Sequence, residues 1–475
     1  MLSSSSNPFV RERSVSSTPT QSTLLTDWTS NSGTAINDTN LTQCSNKRGL
    51  DITNDSTQGT NKHAYRSPHR STWTTYETIQ QRSLYGQRMF GRRIHVSGRP
   101  LLQRYQCHED QVYYYFFPDG KSCVPFVCDY AHAANNGNLL AVSDEEGRVS
   151  ILRTDKSNQI SEREYHRSFY THRNAVVDIK WSKDDSSVLS SGGDGKLRIM
   201  DVESDECLGT FIGHRSIMKS ANWHPTNPHL LVSSGSDGSF NIWDTRFRQL
   251  GTNNDAKYVE EESMEGIDIG CYPIYGPIKS VPDAHVEPKS RVKRQRASAV
   301  IHAGRTVTCA LFYPNDEEKV ITSGSFDGTI KLWDCRVGRT PSPLQVTSFQ
   351  QNGRRKGIAD MKIDQSGTRL FSLCTDSSVY MHYMLDLSLP AKRYTDPTYE
   401  ASLFTIKLSI SYDDQFLLAG STNNSIYVWD IDGDQTQAHT YKGHSDIVSS
   451  VAWHKSRNDQ FASCSDDFHA RIWKA

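Results

Sequence analysis

Short runs in which apolar and polar residues alternate recur along most of the chain, and this period of two predicts β-strands rather than helices. In the segment 329–333, for example, Ile330 and Leu332 fall on one face of a strand and Trp333 falls on the other. Turns rich in Gly, Asp, Asn and Ser separate these runs from residue 111 onward. The pattern predicts an all-β fold over 111–475.

A repeat with a period of about 40 residues organises these strands. Each copy has a His, a second strand, a turn with an Asp, and a third strand that ends in Trp-Asp. In three copies the turn Asp precedes the Trp by six residues: His214, Asp237 and Trp243; His302, Asp327 and Trp333; His444, Asp467 and Trp473. Four weaker copies complete the set 125–155, 172–210, 214–246, 302–337, 355–388, 402–432 and 444–475. Seven such units predict a seven-bladed WD-repeat β-propeller.

The repeated polar residues have a structural explanation. A His, a strand Ser, the turn Asp and the Trp indole can form a buried hydrogen-bonded chain within a blade. We therefore expect His214, His302 and His444 to stabilise the fold rather than to catalyse. The last unit ends two residues after Trp473 and lacks an outer strand. The strand-like run 111–117 is predicted to supply it and to close the ring.

Three segments lie outside the repeats. Residues 1–71 are polar and are predicted to form a disordered extension. Residues 72–110 mix aromatic residues with Arg, which leaves two interpretations open: a segment packed on the side of the propeller, or a helix that binds a partner. Residues 247–300 form a charged insert within the propeller. Its basic run is predicted to be a nuclear import signal, with Lys289, Arg291, Lys293, Arg294 and Arg296.

Composition and motifs argue against an enzyme and against nucleic-acid binding. The net charge of -1 shows no basic excess. The ten cysteines include no Cys-x-x-Cys pair, and no nucleophile elbow, phosphate-binding loop or zinc-protease motif occurs. We expect no cofactor, no metal, no catalytic residue and no membrane partner. Without a secretory signal or a long apolar run, the chain is expected to be soluble and intracellular.

Two consecutive blades end in Trp-Asp-x-Arg, with Asp244 and Arg246 in one and Asp334 and Arg336 in the next. Each Arg is expected on the rim, where the third strand turns into the fourth. A guanidinium group is suited to carboxylates on a partner. The alternative for each Arg is that it caps its own loop or pairs with the adjacent Asp. Two such residues on neighbouring blades favour an interface.

Trp-Asp-x-Arg ends resemble those of WD-repeat receptors that dock on the damaged-DNA-binding adaptor of cullin-4 ubiquitin ligases. Longer stretches are similar to the denticleless family of such receptors: HRNAVVDIKW at 172–181, GTRLFSLCTDSSVYMHYM at 367–384, DDQFLLAGSTNNSIYVWD at 413–430 and GHSDIVSSVAW at 443–453. A longer N-terminal extension and the lack of a long C-terminal tail resemble a fungal member.

The resemblance implies a function. Asp244, Arg246, Asp334 and Arg336 would bind the adaptor, and through it the chain would join cullin-4 and the RING subunit. The segment 72–95 would add a helical contact. Substrates would be replication regulators, among them a licensing factor and a small inhibitor of ribonucleotide reductase, some bound to the sliding clamp. They would be ubiquitinated and degraded in S phase and after DNA damage, in the nucleus and also in the cytoplasm.

Two points stay open at this level. The alternative function is a generic WD-repeat scaffold associated with chromatin, which would need no Arg pair. The residues that grip a substrate are not identified by pattern. Basic residues expected at the channel mouth, Arg173, Lys183 and Lys219, are candidate contacts for an acidic segment of a substrate.

Overall fold

The computed structural model describes residues 99–116, 120–155, 166–247, 273–285, 306–314, 316–336, 342–347, 356–434 and 436–475. Before the ring come a short helix α1 (Arg99–Leu102), a 3-10 helix (Glu109–Gln111) and strand β1 (Val112–Tyr114). The predicted extension 1–71 and the predicted import run lie outside the described residues, as does the part of segment 72–110 that precedes residue 99.

Seven sheets form the seven blades of a β-propeller, which confirms the predicted fold class. Blade 1 contains β2 (Pro125–Tyr130), β3 (Leu139–Asp144), β4 (Arg148–Arg153) and β5 (His166–Tyr170), with a 3-10 helix at Ala134–Gly137. Blade 2 contains β6 (Val176–Trp181), β7 (Ser187–Gly192), β8 (Lys196–Asp201) and β9 (Cys207–Ile212). Blade 3 contains β10 (Met218–Trp223), β11 (Leu230–Gly235), β12 (Phe240–Asp244) and, after β13 (Ile274–Tyr275), β14 (Lys279–Val281).

The remaining blades repeat this order. Blade 4 contains β15 (Val307–Tyr313), β16 (Asp316–Gly324), β17 (Ile330–Asp334) and β18 (Pro343–Val346). Blade 5 contains β19 (Ile358–Ile363), β20 (Arg369–Cys374), β21 (Ser378–Tyr383) and β22 (Lys392–Tyr394). Blade 6 contains β23 (Leu408–Ile410), β24 (Phe416–Ala419), β25 (Ser425–Asp430) and β26 (His439–Lys442). Blade 7 contains β27 (Val448–Trp453), β28 (Gln460–Ser465), β29 (His469–Lys474) and β1.

The first strand of each blade contacts the first strand of the next, and side chains join them around the channel. Six junctions have a backbone N–H that donates to a side-chain oxygen of the preceding blade: Trp181 to Asp129, Ala221 to Asp178, Ala310 to Ser220, Leu408 to Asp360, Trp453 to Ser409 and Cys128 to Ser450. At the seventh junction, Cys309 Sγ donates to Met361 O at 3.8 Å.

The position of the residue whose side chain forms the bond explains how all seven junctions close. Five junctions use the same place in the first strand, as the strand registers show. In blades 1 and 6 that place holds Val127 and Lys407, which cannot accept a hydrogen bond. There the residue two positions further on, Asp129 or Ser409, accepts instead. The polar residues of the inner strands therefore satisfy backbone donors between blades.

The predicted buried polar chains form in blades 3 and 7. His214 Nδ1 lies 3.2 Å from Asp237 Oδ2, and its Nε2 lies 2.8 Å from Ser233 Oγ. The indole of Trp243 donates to the same Ser233 oxygen at 2.8 Å. In blade 7, His444, Asp467, Ser463 and Trp473 repeat the arrangement. The structural interpretation of these histidines is confirmed, because both ring nitrogens of each histidine have a hydrogen-bond partner within the same blade.

In blade 4, the prediction of His302 was wrong. Asp327 Oδ2 lies 2.9 Å from Nδ1 of His285, whose Nε2 lies 2.8 Å from Thr322 Oγ1. Trp333 donates to the same threonine oxygen at 2.8 Å. The histidine therefore comes from the chain that follows β14, and His302 itself lies outside the described residues.

The same region corrects the extent of the predicted insert 247–300. Strand β13 pairs in parallel with β9 as a fifth strand of blade 2, and β14 pairs with β12 as the outer strand of blade 3. Residues 273–285 therefore belong to the propeller. They are needed there because blade 3 would otherwise expose the edge of β12.

The ring closes as predicted, since β1 pairs antiparallel with β29 and completes blade 7. The preceding chain adds to this closure: the backbone N–H and C=O groups of Gln106 both pair with Lys474, at 2.8 and 2.9 Å. Leu102 and Tyr105 are buried in the core between blades 6 and 7. The described end of segment 72–110 is therefore packed on the propeller, and for these residues the packed interpretation is correct.

Candidate partner-binding rim

The first and third strands of every blade run in the same direction and end at the same end of the ring. We call the turns that follow the third strands the third-strand rim. In each blade the first N–H of this turn donates to a backbone carbonyl at the start of the second strand, just before it in six blades and within it in blade 4: Thr154, Val202, Thr245, Cys335, Met384, Ile431 and Ala475 are the donors. Because this hydrogen bond recurs, the turns can be compared residue by residue around the ring.

Arg246 lies on this rim in blade 3 and is held by the aspartate two residues before it. Its Nε lies 2.9 Å from Asp244 Oδ1 and its Nη2 lies 2.6 Å from Asp244 Oδ2. The Arg246 backbone N–H donates to the same carboxylate at 2.9 Å. The aspartate side chain is 3% exposed and that of the arginine is 54% exposed. The fold therefore fixes a guanidinium group whose outer half faces solvent.

Arg336 repeats this arrangement in blade 4. Its Nε and Nη2 atoms both lie 3.1 Å from the carboxylate of Asp334, and its side chain is 53% exposed. Glu318 lies 3.4 Å from Nε on the outer side. Lys279, on the outer strand of blade 3, donates to the backbone carbonyl of Arg336 at 2.5 Å and so links blade 3 to this turn of blade 4. The two arginines therefore lie at equivalent rim positions of adjacent blades, with Glu317 acting on Arg246 and Glu318 on Arg336.

The electrostatics of both pairs favour the charged forms. The hydrogen bond from Arg246 lowers the pKa of Asp244 below its usual range, against the opposing effect of burial. The hydrogen bonds to Asp244 and Asp334 raise the pKa values of Arg246 and Arg336. The alternative from sequence, that each Arg pairs with its adjacent Asp, is therefore realised. It does not remove the arginines from the surface, since about half of each side chain remains exposed.

The equivalent position in the other blades carries different chemistry. It holds Asp155 in blade 1, Glu203 in blade 2, Leu385 in blade 5 and Asp432 in blade 6. Blade 1 even reverses the polarity of the pair, because Arg153 stands in the aspartate position and binds Asp155 at 3.1 Å. Among the described blades, an arginine at this position is thus confined to blades 3 and 4, and carboxylates occupy the same position in blades 1, 2 and 6.

The basic residues expected at one channel mouth lie at two ends of the ring. Arg173 precedes β6 and Lys219 is the second residue of β10, so both lie where the first strands begin. Lys183 follows β6 and lies at the opposite end, on the side of the third-strand rim. The three side chains therefore do not form a single site, because strand direction separates them.

The channel itself contains charged side chains that pair with one another. Lys180 lies 2.8 Å from Asp178, and Lys455 lies 2.8 Å from Asp129. Burial alone would lower the pKa of Lys407, but Asp178 and a second carboxylate on β19 raise it overall. A cavity of about 320 Å³ opens at the rim end of this channel. Asp129 and Asp178, which accept backbone N–H groups of the next blade, therefore also pair with lysines in the channel.

The described part of the chain has no group of three or more His, Cys, Asp or Glu side chains placed to hold a metal ion. In the same residues no helix is long and apolar enough to cross a membrane.

Comparison with known proteins agrees with this architecture. The family model for the WD domain, G-beta repeat, matches residues 163–201, 205–244, 297–334, 399–430 and 435–474. The chain is 32% identical over 385 residues to a denticleless protein homolog of Danio rerio and 30% identical over 381 residues to that of Homo sapiens. It is 28% identical over 357 residues to the protein lethal(2)denticleless of Drosophila melanogaster. The chain is therefore similar to denticleless proteins over about four fifths of its length.

The similarity to denticleless proteins covers 79%, 79% and 74% of this chain in these three comparisons. It covers 55%, 50% and 44% of the relatives, so the chain spans about half the length of the curated relatives it matches. The WD-repeat match at 297–334 includes His302, whereas the blade uses His285. Sequence patterns alone therefore place this histidine incorrectly.

Proposed function

We propose that this chain is the substrate receptor of a cullin-4-type E3 ubiquitin ligase and binds the damaged-DNA-binding adaptor through its third-strand rim. It is a non-catalytic subunit that recruits replication regulators, among them a licensing factor and a ribonucleotide reductase inhibitor. These substrates are ubiquitinated and degraded in S phase and after DNA damage. The observation that carries the proposal is the pair Arg246 and Arg336 on adjacent blades, each fixed by a buried aspartate and half exposed.

The geometry of this pair suits binding to carboxylates. Arg side chains usually lose conformational freedom when they bind, and this loss weakens association. Asp244 and Asp334 already hold the two guanidinium groups in place, so less freedom remains to be lost. A guanidinium has further N–H donors for a carboxylate on a partner. A preorganised pair of cations therefore supports specific recognition of an acidic surface.

The start of the described chain supports a second contact on the same side. Tyr105 bonds to the carbonyl of Asn458, and Gln106 pairs with Lys474. Both partners lie at the end of the ring where the third strands end. Residues 105 and 106 therefore lie near this rim. We propose that residues 72–95 add to the docking contact, as helical segments do in grooves of a partner.

The proposal is tested by capture of the purified cullin-4 adaptor with the full chain. The wild type is compared with the double variant Arg246→Ala, Arg336→Ala. Glu203→Ala is the matched control because it changes an exposed residue at the equivalent position of blade 2. We expect the wild type and the control to capture the adaptor and the double variant to lose it. Circular dichroism checks that all three proteins are folded.

Each outcome has a distinct meaning. If the wild type does not bind the adaptor, the ligase-receptor proposal fails. If the folded double variant binds as well as the wild type, the rim is not the docking site. In cells, replacement by the double variant is expected to stabilise the licensing factor in S phase, as followed by its half-life. An unchanged half-life together with lost adaptor capture would contradict the proposed substrates.

We also propose that the chain acts in the nucleus. The support is the basic run with Lys289, Arg291, Lys293, Arg294 and Arg296, which suits an import receptor. Replacing these five residues by Ala in a fluorescent fusion is expected to shift the protein to the cytoplasm. Nuclear fluorescence that persists in the variant would contradict this role of the run.

A further inference from the structure

Leu385 occupies in blade 5 the place that arginines occupy in blades 3 and 4. The third strand of each of these blades is paired in the same register, with His382 opposite Leu370 as Trp243 is opposite Leu231. Leu385 follows the end of β21 by two residues, as Arg246 follows the end of β12. The equivalence is therefore set by strand pairing, although blade 5 lacks the Trp-Asp sequence.

The turn itself has the same hydrogen bonds as the turn of blade 3. The Met384 N–H donates to Thr368 O at 2.9 Å, as the N–H of Thr245 donates to His229 O at 3.0 Å. The next turn bond runs from the Asp386 N–H to Tyr383 O at 3.0 Å, and its counterpart in blade 3 joins residues 247 and 244 at 3.2 Å. The side chain of Leu385 is thus presented at the same point of the rim as the arginines.

Leu385 is also held in an exposed position. Its side chain is 88% exposed, and the neighbouring Tyr383 and Leu389 are 54% and 63% exposed. Gln345 of blade 4 fixes the turn from the side: its amide accepts from the Leu387 N–H at 3.2 Å and donates to Leu385 O at 3.5 Å. An apolar side chain on a fixed turn loses hydration without losing much freedom when a partner covers it.

Three consecutive blades of the rim have no carboxylate at this position, and a carboxylate stands at the same position in the blade on either side of them. Arg246, Arg336 and Leu385 occupy equivalent positions in blades 3, 4 and 5. Glu203 in blade 2 and Asp432 in blade 6 stand at the same position on either side of these three blades. Two guanidinium groups alone cover little of the roughly 800 Å² per partner that a stable interface needs. An adjacent apolar anchor enlarges the surface and provides the apolar contact typical of interface centres.

We propose that Leu385 is a third anchor for the same adaptor that binds Arg246 and Arg336, and that it inserts into an apolar pocket beside the adaptor's carboxylates. Tyr383 and Leu389 border this contact. The inference rests on the proposed function, because the partner is the one assigned to the arginine pair. It adds the chemistry of the partner surface: two acidic positions followed by an apolar recess.

The test measures the dissociation constant of the full chain and the purified adaptor by titration calorimetry. We expect Leu385→Asp to weaken binding by about tenfold or more, because a charge cannot enter an apolar recess without loss of hydration. Leu385→Met keeps an apolar side chain of similar volume and is expected to bind like the wild type. Leu385→Arg is expected to weaken binding, and Glu203→Ala to leave it unchanged.

The outcomes separate this inference from the function on which it rests. If the wild type does not bind, the proposed function fails and the inference fails with it. If the Arg246→Ala, Arg336→Ala variant loses binding while Leu385→Asp binds like the wild type, only the inference fails. Tighter binding by Leu385→Arg would show an acidic pocket and overturn the apolar one. Self-association of the wild type that Leu385→Asp abolishes, seen by sedimentation, would assign the surface to a second copy and also overturn it.

Discussion

In blade 3 and again in blade 4, one aspartate lies at each end of the third strand, and the two aspartates have different partners. Before the strand of blade 3, Asp237 binds His214, whose side chain is fully buried. After the same strand, Asp244 binds Arg246, whose side chain is 54% exposed. The two pairs have similar distances, so geometry alone does not distinguish them.

Burial and completeness distinguish the two pairs. The hydrogen bonds of His214 continue to Ser233 and from there to Trp243 in the same blade, so both ring nitrogens of the histidine are used within the fold. The arginine pair leaves guanidinium surface on the rim, where it has no role in the blade core. A residue of one type is thus structural at one end of a strand and suited to a partner at the other. The following predictions test this difference.

The largest effect is expected where the chain before β1 closes the ring. Tyr105 is 4% exposed and contacts the rings of Tyr441, Trp453 and Phe461. Tyr105→Ala is expected to lower the free energy of unfolding by about 3–5 kcal/mol, because it removes a buried aromatic ring. Urea denaturation measures this change. The control Tyr114→Ala alters a tyrosine that is 62% exposed and should cost far less; equal losses in the two variants would contradict the closure described here.

The next effect concerns the histidine of blade 4. His285→Ala leaves the buried carboxylate of Asp327 without its main partner, and we expect a loss of about 2–4 kcal/mol in the free energy of unfolding. His302→Ala leaves that pair intact and should have little effect. Thermal and urea unfolding of the two variants compare them directly. A larger loss of unfolding free energy from His302→Ala than from His285→Ala would show that His302 is the structural histidine of blade 4.

A smaller effect on stability is expected from Asp178, a channel residue whose contribution depends on pH. Burial would raise the pKa of Asp178, but Lys180, Lys407 and Lys362 lower it from 3.8 to about 2. A carboxylate whose pKa is lower in the folded than in the unfolded protein stabilises the fold at pH values above its unfolded pKa. This stabilisation is lost as the pH falls from about 4 to about 2. The amount is about 2 kcal/mol. Asp178→Asn should be less stable at pH 7 and lose less on acidification.

This pH prediction is checked by urea unfolding of both proteins at pH 7, 4, 3 and 2. Other carboxylates titrate in the same range, so the quantity that matters is the difference between wild type and Asp178→Asn. We expect this difference to shrink toward pH 2. A difference that stays constant with pH would show that the Asp178 carboxylate does not contribute as a charged group.

The smallest effect on folding is expected on the rim. In the Arg246→Ala, Arg336→Ala variant, Asp244 and Asp334 keep the hydrogen bonds that the backbone N–H groups of residues 246 and 336 donate to them. Since the arginine side chains are also about half exposed, we expect a smaller drop in melting temperature than for the buried histidine variants. The same variant should lose adaptor binding. Differential scanning calorimetry beside the capture experiment measures both properties. A large drop in melting temperature would place the arginines with the structural pairs and remove the contrast between the two strand ends.

Much of the fold follows from pattern. The spacing of turn Asp and strand Trp in three copies, with four weaker copies on the same period, is enough to count seven blades. The strand-like run 111–117 was predicted to close the ring, as β1 does. His285 was not predicted because residues 286–306 separate it from β15, and His302 fits the repeat spacing better. A histidine defined by a contact across such a gap cannot be chosen by spacing.

Only part of the candidate docking site could be predicted from the sequence. The Trp-Asp-x-Arg sequences identify Arg246 and Arg336, but not that each is held by its own aspartate while half exposed. Leu385 was missed because His382 and Tyr383 stand where other blades have Trp and Asp. Its equivalence to the arginines appears only when strand register is known, since the residue types share no feature.

The most direct test of the rim as a docking surface is an alanine scan at its equivalent positions. Asp155, Glu203, Arg246, Arg336, Leu385 and Asp432 are each replaced by Ala, and the dissociation constant for the purified cullin-4 adaptor is measured for every variant. The account predicts that losses of affinity are confined to blades 3, 4 and 5, with wild-type binding in blades 1, 2 and 6. Losses spread evenly around the rim, or wild-type affinity in both arginine variants, would contradict it.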